Sequence, residues 1–299
     1  MKPFLLTAAL MASTLSFSAC THLTASPDTS AMTVPAYDTA FPPALEELHF
    51  DSAGDRLNGL IYLAEGEGPH PSVVLLHGYP GNEKNLDLAQ ALRADGFNVL
   101  FFHYRGAWGS EGDFSFTQVI EDVAAATDFL RTNADTYRAD PDKITLIGHS
   151  MGGFAALEAG ARDPRIQCTA GLAPANFGAV ATAFNAMPEL KTGFSAYSDT
   201  LQMLKGWSGE KALAELAANQ EAFEVRSLAP KFAGRSVLIV GADKDTAVPA
   251  DTIITPMKDA YEAQADVQTT GVILSGDHSF SWSRDALIQT VTDWANDCR

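Results

Sequence analysis

Short apolar runs alternate with segments of helical periodicity along most of this chain. The clearest runs are SVVLL at 72–76 and ITLI at 144–147, which have the length and continuity of strands covered on both faces of a sheet. Further strands are predicted at 56–64, 97–102, 167–172, 237–240 and 271–274, and helices at 85–94, 119–130, 151–161 and 287–294. Strands that alternate with helices predict an α/β domain with a mostly parallel sheet and helices on both faces.

One long segment departs from this alternation of strands and helices. The stretch 175–230 has helical tendencies, clearest at 211–223, but no good strand. We expect a helical cap insertion over the carboxyl edge of the sheet, and the alternative is a pair of ordinary surface helices.

In the helix at 119–130, the periodicity places Asp122 and Asp128 on the polar side.

The N-terminal 19 residues have the pattern of an export signal. Lys2 precedes a short apolar stretch, and Phe17-Ser18-Ala19-Cys20 resembles a bacterial lipobox, in which the cysteine becomes the lipid-bearing N-terminus. The alternative is an ordinary secretory signal cleaved nearby. Residues 20–45 are rich in Ser, Thr, Ala and Pro and predict a flexible tether, so the folded domain is expected over 46–299. The sequence therefore predicts an exported, lipid-anchored bacterial envelope protein, or otherwise a secreted or periplasmic one.

The composition narrows the range of partners. Apolar residues make up 46% of the chain, which suits a globular domain, and the formal net charge is -17. An acidic surface repels phosphate backbones and anionic membranes. We therefore expect no nucleic-acid partner and membrane contact only through a lipid anchor at Cys20. The sequence carries no indication of oligomeric state.

A nucleophile elbow is predicted at 148–152. Gly-His-Ser-Met-Gly follows the strand ITLI and opens a helix rich in Ala and Gly, the strand–turn–helix context that the Gly-x-Ser-x-Gly motif requires. Ser150 is the candidate nucleophile, and His149 occupies the variable position, where a packing role is expected. The start of the following helix adds positive potential near a developing oxyanion.

A serine nucleophile needs a base, and one histidine satisfies the chain order. Of the seven histidines, only His278 follows Ser150, in a loop just after the last strand. The orienting acid should lie between them. Asp243 and Asp245 both follow the strand at 237–240. Asp277, beside the histidine, is expected to shape its own loop.

From about residue 46 onward, the chain resembles the α/β-hydrolase fold family, near its esterase and serine-aminopeptidase branches. In that family the acid commonly precedes a proline by four residues, as Asp245 precedes Pro249, so the resemblance favours Asp245 over Asp243. The motif His-Gly-Tyr-Pro-Gly at 77–81 resembles the family's oxyanion loop. By that resemblance, the backbone N–H groups of Tyr79 and Met151 would hold the oxyanion.

The loop at 104–112 also resembles a family signature. We expect it to be structural, with Arg105 as an anchor, and the alternative gives Trp108 a direct contact with substrate.

The cysteines that remain after Cys20 are Cys168 and Cys298. Chain topology brings both to the edge of the sheet opposite the site, so a disulfide between them is possible. The alternative is a buried, unpaired Cys168 beside a frayed terminus.

These residues predict a serine hydrolase that acts on a small-molecule acyl substrate through an acyl-enzyme and needs no cofactor. Ester hydrolysis is the first expectation by analogy with the family, and a peptidase or thioesterase would use the same residues. A non-catalytic binding lipoprotein is the alternative of another class. No phosphate-binding loop, dinucleotide fingerprint or Cys and His pairing at metal spacing is present in the sequence.

Overall fold

The computed structural model describes residues 36–299. They contain one eight-stranded sheet in the order β1-β2-β4-β3-β5-β6-β7-β8. The strands are β1 Ala44–Ser52, β2 Asp55–Leu63, β3 His70–Leu76, β4 Asn98–Phe102, β5 Ala139–His149, β6 Cys168–Leu172, β7 Ser236–Ala242 and β8 Gln268–Leu274. β2 pairs antiparallel with β1 and β4, and every other pairing in this sheet is parallel. The predicted mostly parallel sheet is confirmed.

Helices cover both faces of the sheet, as predicted. They are α1 Leu86–Ala94, α2 Phe116–Thr132, α3 Ala134–Tyr137, α4 Met151–Arg162, α5 Phe177–Ala186, α6 Pro188–Asp199, α7 Gly209–Ala218, α8 Thr255–Glu262 and α9 Arg284–Asn296. One apolar core contains Val119 of α2 and Phe154 of α4. A second contains Leu88 of α1 and Leu287 of α9. Among the described helices, none combines the length and apolarity needed to cross a membrane.

The first strand begins slightly before the predicted start of the folded domain at residue 46. β1 starts at Ala44, inside the segment assigned to the tether, and was missed as a strand. It lies at the edge of the sheet and carries Glu46 and Glu47 on its exposed part, so its apolar alternation is weak. The signal at 1–19, the lipid site at Cys20 and the tether as far as residue 35 lie outside the described residues.

The prediction that Asp122 lies on the polar side of its helix was wrong. Asp122 is completely buried and its carboxylate accepts hydrogen bonds from Nε and the backbone N–H of Arg105, at 2.6 and 2.7 Å. Ser52 of β1 donates a third, at 2.6 Å. Arg105 thus anchors its loop, as expected, and it does so on the carboxylate that periodicity had assigned to solvent. Helical periodicity cannot detect a distant loop that crosses the polar face of a helix.

The structure joins Cys168 and Cys298 by a disulfide, with their Cα atoms 6.1 Å apart. Cys168 is the first residue of β6, and α9 returns to the same edge of the sheet. Trp294 of that helix donates a hydrogen bond to Ser236 Oγ at the start of β7, at 2.9 Å. The bridge therefore ties the C-terminus to the side of the sheet where the parallel strands begin.

The bridge should contribute measurably to stability. Because it closes a loop with a sequence separation of 130 residues, its removal should lower the free energy of unfolding by about 2–5 kcal/mol. Denaturant unfolding of the Cys168→Ser/Cys298→Ser variant, compared with the unreduced parent, measures this. Both proteins should carry Cys20→Ser, so that thiol titration of the denatured parent finds no free thiol. Two free thiols in the parent would contradict the bridge.

Candidate active site

Ser150 stands at the turn between β5 and α4. Its backbone has φ 57° and ψ −119°, a left-handed conformation that is rare for a residue with a side chain and is found at strained functional positions. Its N–H donates to the carbonyl of Leu172, at 2.8 Å, and its own carbonyl accepts from the N–H of Ala175, at 3.0 Å. Among residues 144–160, Ser150 alone is partly exposed and all the others are buried. The fold therefore presents this one side chain from an otherwise buried segment.

Close backbone approaches explain the glycines of the elbow. A side chain at Gly148 would overlap the carbonyl of Gly152, and one at Gly152 would overlap the carbonyl of Leu76. A methyl group at Gly78 would lie 3.0 Å from Ser150 Cβ. Gly78 belongs to the predicted oxyanion loop, so this loop lies directly against the elbow.

His278 and Asp245 are brought together by the loops that follow β8 and β7. His278 Nδ1 lies 2.6 Å from Asp245 Oδ2, and the aspartate side chain is completely buried. The other carboxylate oxygen, Oδ1, accepts from the backbone N–H groups of Ala247 and Val248, each at 2.8 Å. Because a carboxylate only accepts, Nδ1 carries the proton in this bond. Nε2 is then the ring nitrogen left to exchange a proton.

The two other aspartates near this pair shape the backbone. Asp243 Oδ1 accepts from the N–H of Gly276, at 3.0 Å, and so links the two loops. Asp277 Oδ1 accepts from the N–H of Ser281, at 2.8 Å, inside its own loop. Neither carboxylate has His278 as a partner among its hydrogen bonds, so the structure brings Asp245, and not Asp243, to the histidine.

His149 makes a contact that the sequence did not indicate. Its Nε2 lies 2.7 Å from the main-chain carbonyl oxygen of His278, and the two rings are 4.7 Å apart. The residue before Ser150 therefore holds the backbone of His278. These residues are separated by 129 positions in the chain, and no local pattern could have paired them.

The two residues predicted to hold the oxyanion adjoin the elbow, one in α4 and one in the neighbouring loop. Met151 is the first residue of α4, so its N–H has no acceptor within the helix. Tyr79 follows Gly78 in the neighbouring loop, and its hydroxyl donates to Ser198 Oγ at 2.9 Å and accepts from Trp207 Nε1 at 2.7 Å. Ser198 lies on α6 and Trp207 precedes α7, so the segment between β6 and β7 contacts the oxyanion loop. This segment contains α5 to α7 and a 3₁₀ segment at Val225–Phe232, in agreement with the predicted helical insertion.

Trp108 is placed against the same loop. Its Nε1 donates to the carbonyl of Pro80, at 2.7 Å, and its backbone N–H donates to the carbonyl of Met203, at 3.1 Å. It therefore connects the loop at 104–112 with the oxyanion loop and with the insertion. This contact favours the structural interpretation of Trp108 that the sequence suggested.

Two further histidines lie at the ends of β3 and β4. His77 Nε2 and His103 Nδ1 are 3.2 Å apart. Burial lowers the pKa of His77 to about 3 and that of His103 to about 4, so both rings are neutral near pH 7. Within residues 36–299, no cluster of three or more His, Cys, Asp or Glu side chains has an arrangement suited to a metal ion.

Two curated relatives each match less than half of this chain, whereas solved structures superimpose on most of it. Uncharacterized protein Rv2307c of Mycobacterium tuberculosis is 31% identical over 129 residues, which are 43% of this chain and 45% of the relative. Esterase EstD of Thermotoga maritima is 30% identical over 133 residues, which are 40% of this chain and 31% of EstD. The chain thus spans less than half the length of these curated relatives.

Among solved structures, Est1E from Butyrivibrio proteoclasticus superimposes with a TM-score of 0.61 at 18% identity. The alignment covers 84% of this chain and 98% of Est1E. At this identity the similarity establishes the fold. The sequence profile of the alpha/beta hydrolase family matches residues 73–290, which include every residue of the candidate site described above, and the chain therefore belongs to the alpha/beta hydrolase family.

Proposed function

We propose that this protein is a serine hydrolase that cleaves carboxylic esters, with Ser150 as nucleophile, His278 as general base and Asp245 as the acid that orients the base. The observation that carries the proposal is the 2.6 Å contact between His278 Nδ1 and the buried Asp245 carboxylate. It leaves Nε2 available as a base, in a chain whose elbow exposes one serine hydroxyl. A carboxylate held in this way also stabilises the imidazolium that forms during reaction.

The reaction proceeds in two halves. Ser150 Oγ attacks the ester carbonyl while His278 Nε2 takes its proton, and the N–H groups of Tyr79 and Met151 bind the negative oxygen. The C–O bond to the alcohol breaks, and the alcohol leaves with the proton from His278. Water then attacks the acyl-enzyme and gives its proton to His278. The carboxylic acid departs and Ser150 recovers its proton.

Esters are favoured over amides and thioesters by analogy with a curated relative. The curated relative EstD is described as an esterase, and we extend that activity to this chain. Whichever of these bonds is cleaved, the surroundings of the oxyanion loop favour an uncharged, apolar substrate. The Tyr79 ring stacks near Phe194 and contacts Tyr197, with ring centres 6.1 and 6.0 Å apart, and the net charge of -17 repels anions.

The bond preference is tested with one acyl group presented three ways, as a p-nitrophenyl ester, a p-nitroanilide and a thioester. Matching the acyl group removes differences in acyl binding, so that the comparison reports the bond that is cleaved. We expect the highest kcat/KM for the ester, with Ser150→Ala as the inactive control. A higher kcat/KM for aminoacyl anilides would identify a peptidase, and one for the thioester would identify a thioesterase.

We also propose that the protein is exported and lipid-anchored at Cys20. The lipobox resemblance supports this, and so does the bridge between Cys168 and Cys298, because disulfides persist in oxidising compartments. Growth of producing bacteria with labelled palmitate should mark the wild type. Cys20→Ser should abolish the label and release soluble enzyme with unchanged kcat, since Cys20 lies outside the hydrolase domain. An unlabelled wild type would contradict the anchor.

A further inference from the structure

His149 links the two segments that carry the reacting side chains of the proposed mechanism. It is the last residue of β5 and immediately precedes Ser150. Its side chain is almost fully buried, with 3% of the residue exposed, and is directed to the loop that carries His278. The hydrogen bond from Nε2 to the main-chain oxygen of His278, at 2.7 Å, links these two elements.

The chemistry of this hydrogen bond fixes the state of the His149 ring. A carbonyl oxygen can only accept, so Nε2 carries the proton. Burial, with a smaller contribution from the nearby His278, lowers the pKa of His149 to about 3. The ring is thus a neutral donor near pH 7. It adds no positive charge beside His278 at the moment when that residue takes up a proton.

His278 is consequently fixed at two points from two different strands. Asp245, which follows β7, holds one ring nitrogen, and His149, at the end of β5, holds the main chain. The side-chain bond sets the tautomer and restrains the orientation of the ring. The bond to the main-chain carbonyl restrains the backbone that carries this side chain, and it comes from the residue next to the nucleophile.

We propose that His149 is a positioning residue, whose Nε2–H group sets the distance between the base His278 and the nucleophile Ser150. This inference rests on the proposed function. Proton transfer is steep in distance, and a misplacement of about 1 Å can cost on the order of 100-fold in rate. The loss should appear in kcat, because His149 is buried under the site and holds the base, so that substrate binding does not depend on it.

Three substitutions separate the hydrogen bond from the packing of the ring. His149→Gln keeps an N–H donor at nearly the reach of Nε2, His149→Asn keeps an amide that stops short, and His149→Phe keeps the ring without a donor. We expect kcat on a p-nitrophenyl ester to fall on the order of 10- to 100-fold in the Asn and Phe variants and to stay within about threefold in the Gln variant. KM should change little in all three.

A second readout follows the reaction of Ser150 itself. The rate of covalent labelling by a fluorophosphonate depends on activation of the serine by His278, and it should fall in parallel with kcat and recover in the Gln variant. Thermal unfolding identifies any variant that does not fold. If the Phe variant does not fold, the comparison of the Gln and Asn variants still tests the role of the donor, because their amides differ only in how far they reach. The exposed His49 provides a matched control, and His49→Gln should leave both rates unchanged.

The outcomes distinguish a failure of the positioning role from a failure of the proposed function. Wild-type kcat and labelling in folded Asn and Phe variants would overturn the positioning role while Ser150→Ala and His278→Ala remained inactive. Equal losses in Gln, Asn and Phe would overturn it as well, because the donor would then not be the cause. A wild-type protein that is neither labelled nor active would refute the proposed function instead.

Discussion

Ser150→Ala is expected to reduce kcat for ester hydrolysis about a millionfold, the loss found when the nucleophile of a serine protease is removed, or roughly 8 kcal/mol in activation free energy. The methyl side chain cannot form the acyl-enzyme, and the remaining oxyanion donors can only assist attack by water. Steady-state and single-turnover rates on a p-nitrophenyl ester measure the change.

The fold should survive this substitution. Alanine retains the Cβ and therefore the same left-handed backbone, and Ser150 is held by backbone hydrogen bonds to Leu172 and Ala175 that do not involve its hydroxyl. The midpoint of thermal unfolding should therefore stay close to that of the wild type. Ser281→Ala, which removes an exposed hydroxyl from the loop of His278, serves as the control and should keep full activity. If the Ser150→Ala variant kept more than about a tenth of wild-type turnover, Ser150 would not be the nucleophile.

Asp245→Asn should lower kcat about ten-thousandfold, as the corresponding change does in a serine protease. The amide can donate to His278 Nδ1, which stabilises the tautomer with the proton on Nε2. That tautomer cannot accept the proton of Ser150. Rate measurements on the same ester, with circular dichroism to verify folding, test this expectation.

Asp243→Asn supplies the matched comparison, because both aspartates follow β7 by only a few residues. Its carboxylate accepts from the N–H of Gly276, and the asparagine amide oxygen can accept the same bond. Its loss should be less than about tenfold, the cost of weakening one partly exposed hydrogen bond. If the Asp243 variant were inactive and the Asp245 variant active, the assignment of the acid would be reversed and the fold would be unaffected.

The features predicted well from the sequence are those coded locally or by chain order. The elbow at Ser150 depends on neighbouring glycines, and the packing distances around Gly148 and Gly152 show why they are needed. The sheet could be predicted because its parallel strands are covered on both faces and form unbroken apolar runs. The topological argument that brought Cys168 and Cys298 to one edge agrees with the bridge in the structure.

The features that escaped prediction are contacts between distant segments. Asp122 has the pattern of a surface residue until Arg105 and Ser52 converge on it from other elements. The choice of Asp245 over Asp243 rested on family resemblance, since both follow the same strand. Two loops fix which carboxylate reaches His278, and loop conformations are not encoded in periodicity. β1 escaped because an edge strand needs only a partial apolar face.

The role of Tyr79 shows the same limit. Sequence resemblance assigned its backbone N–H, but its side chain hydrogen bonds to Ser198 and Trp207 of the insertion. The insertion therefore contacts the side chain of a residue whose backbone N–H is proposed to bind the oxyanion, through a hydroxyl that no motif specifies. Such contacts depend on how the helices after β6 pack over the loop, which only the folded chain determines.

The most direct test of the central claim is identification of the residue that a fluorophosphonate modifies. Intact-mass analysis of the wild type should show one adduct per chain, and peptide mapping should place it on Ser150. Hydrolysis should fall in proportion to labelling, and Ser150→Ala should take up no probe. An adduct on another residue, or full hydrolysis in a completely labelled protein, would contradict the account.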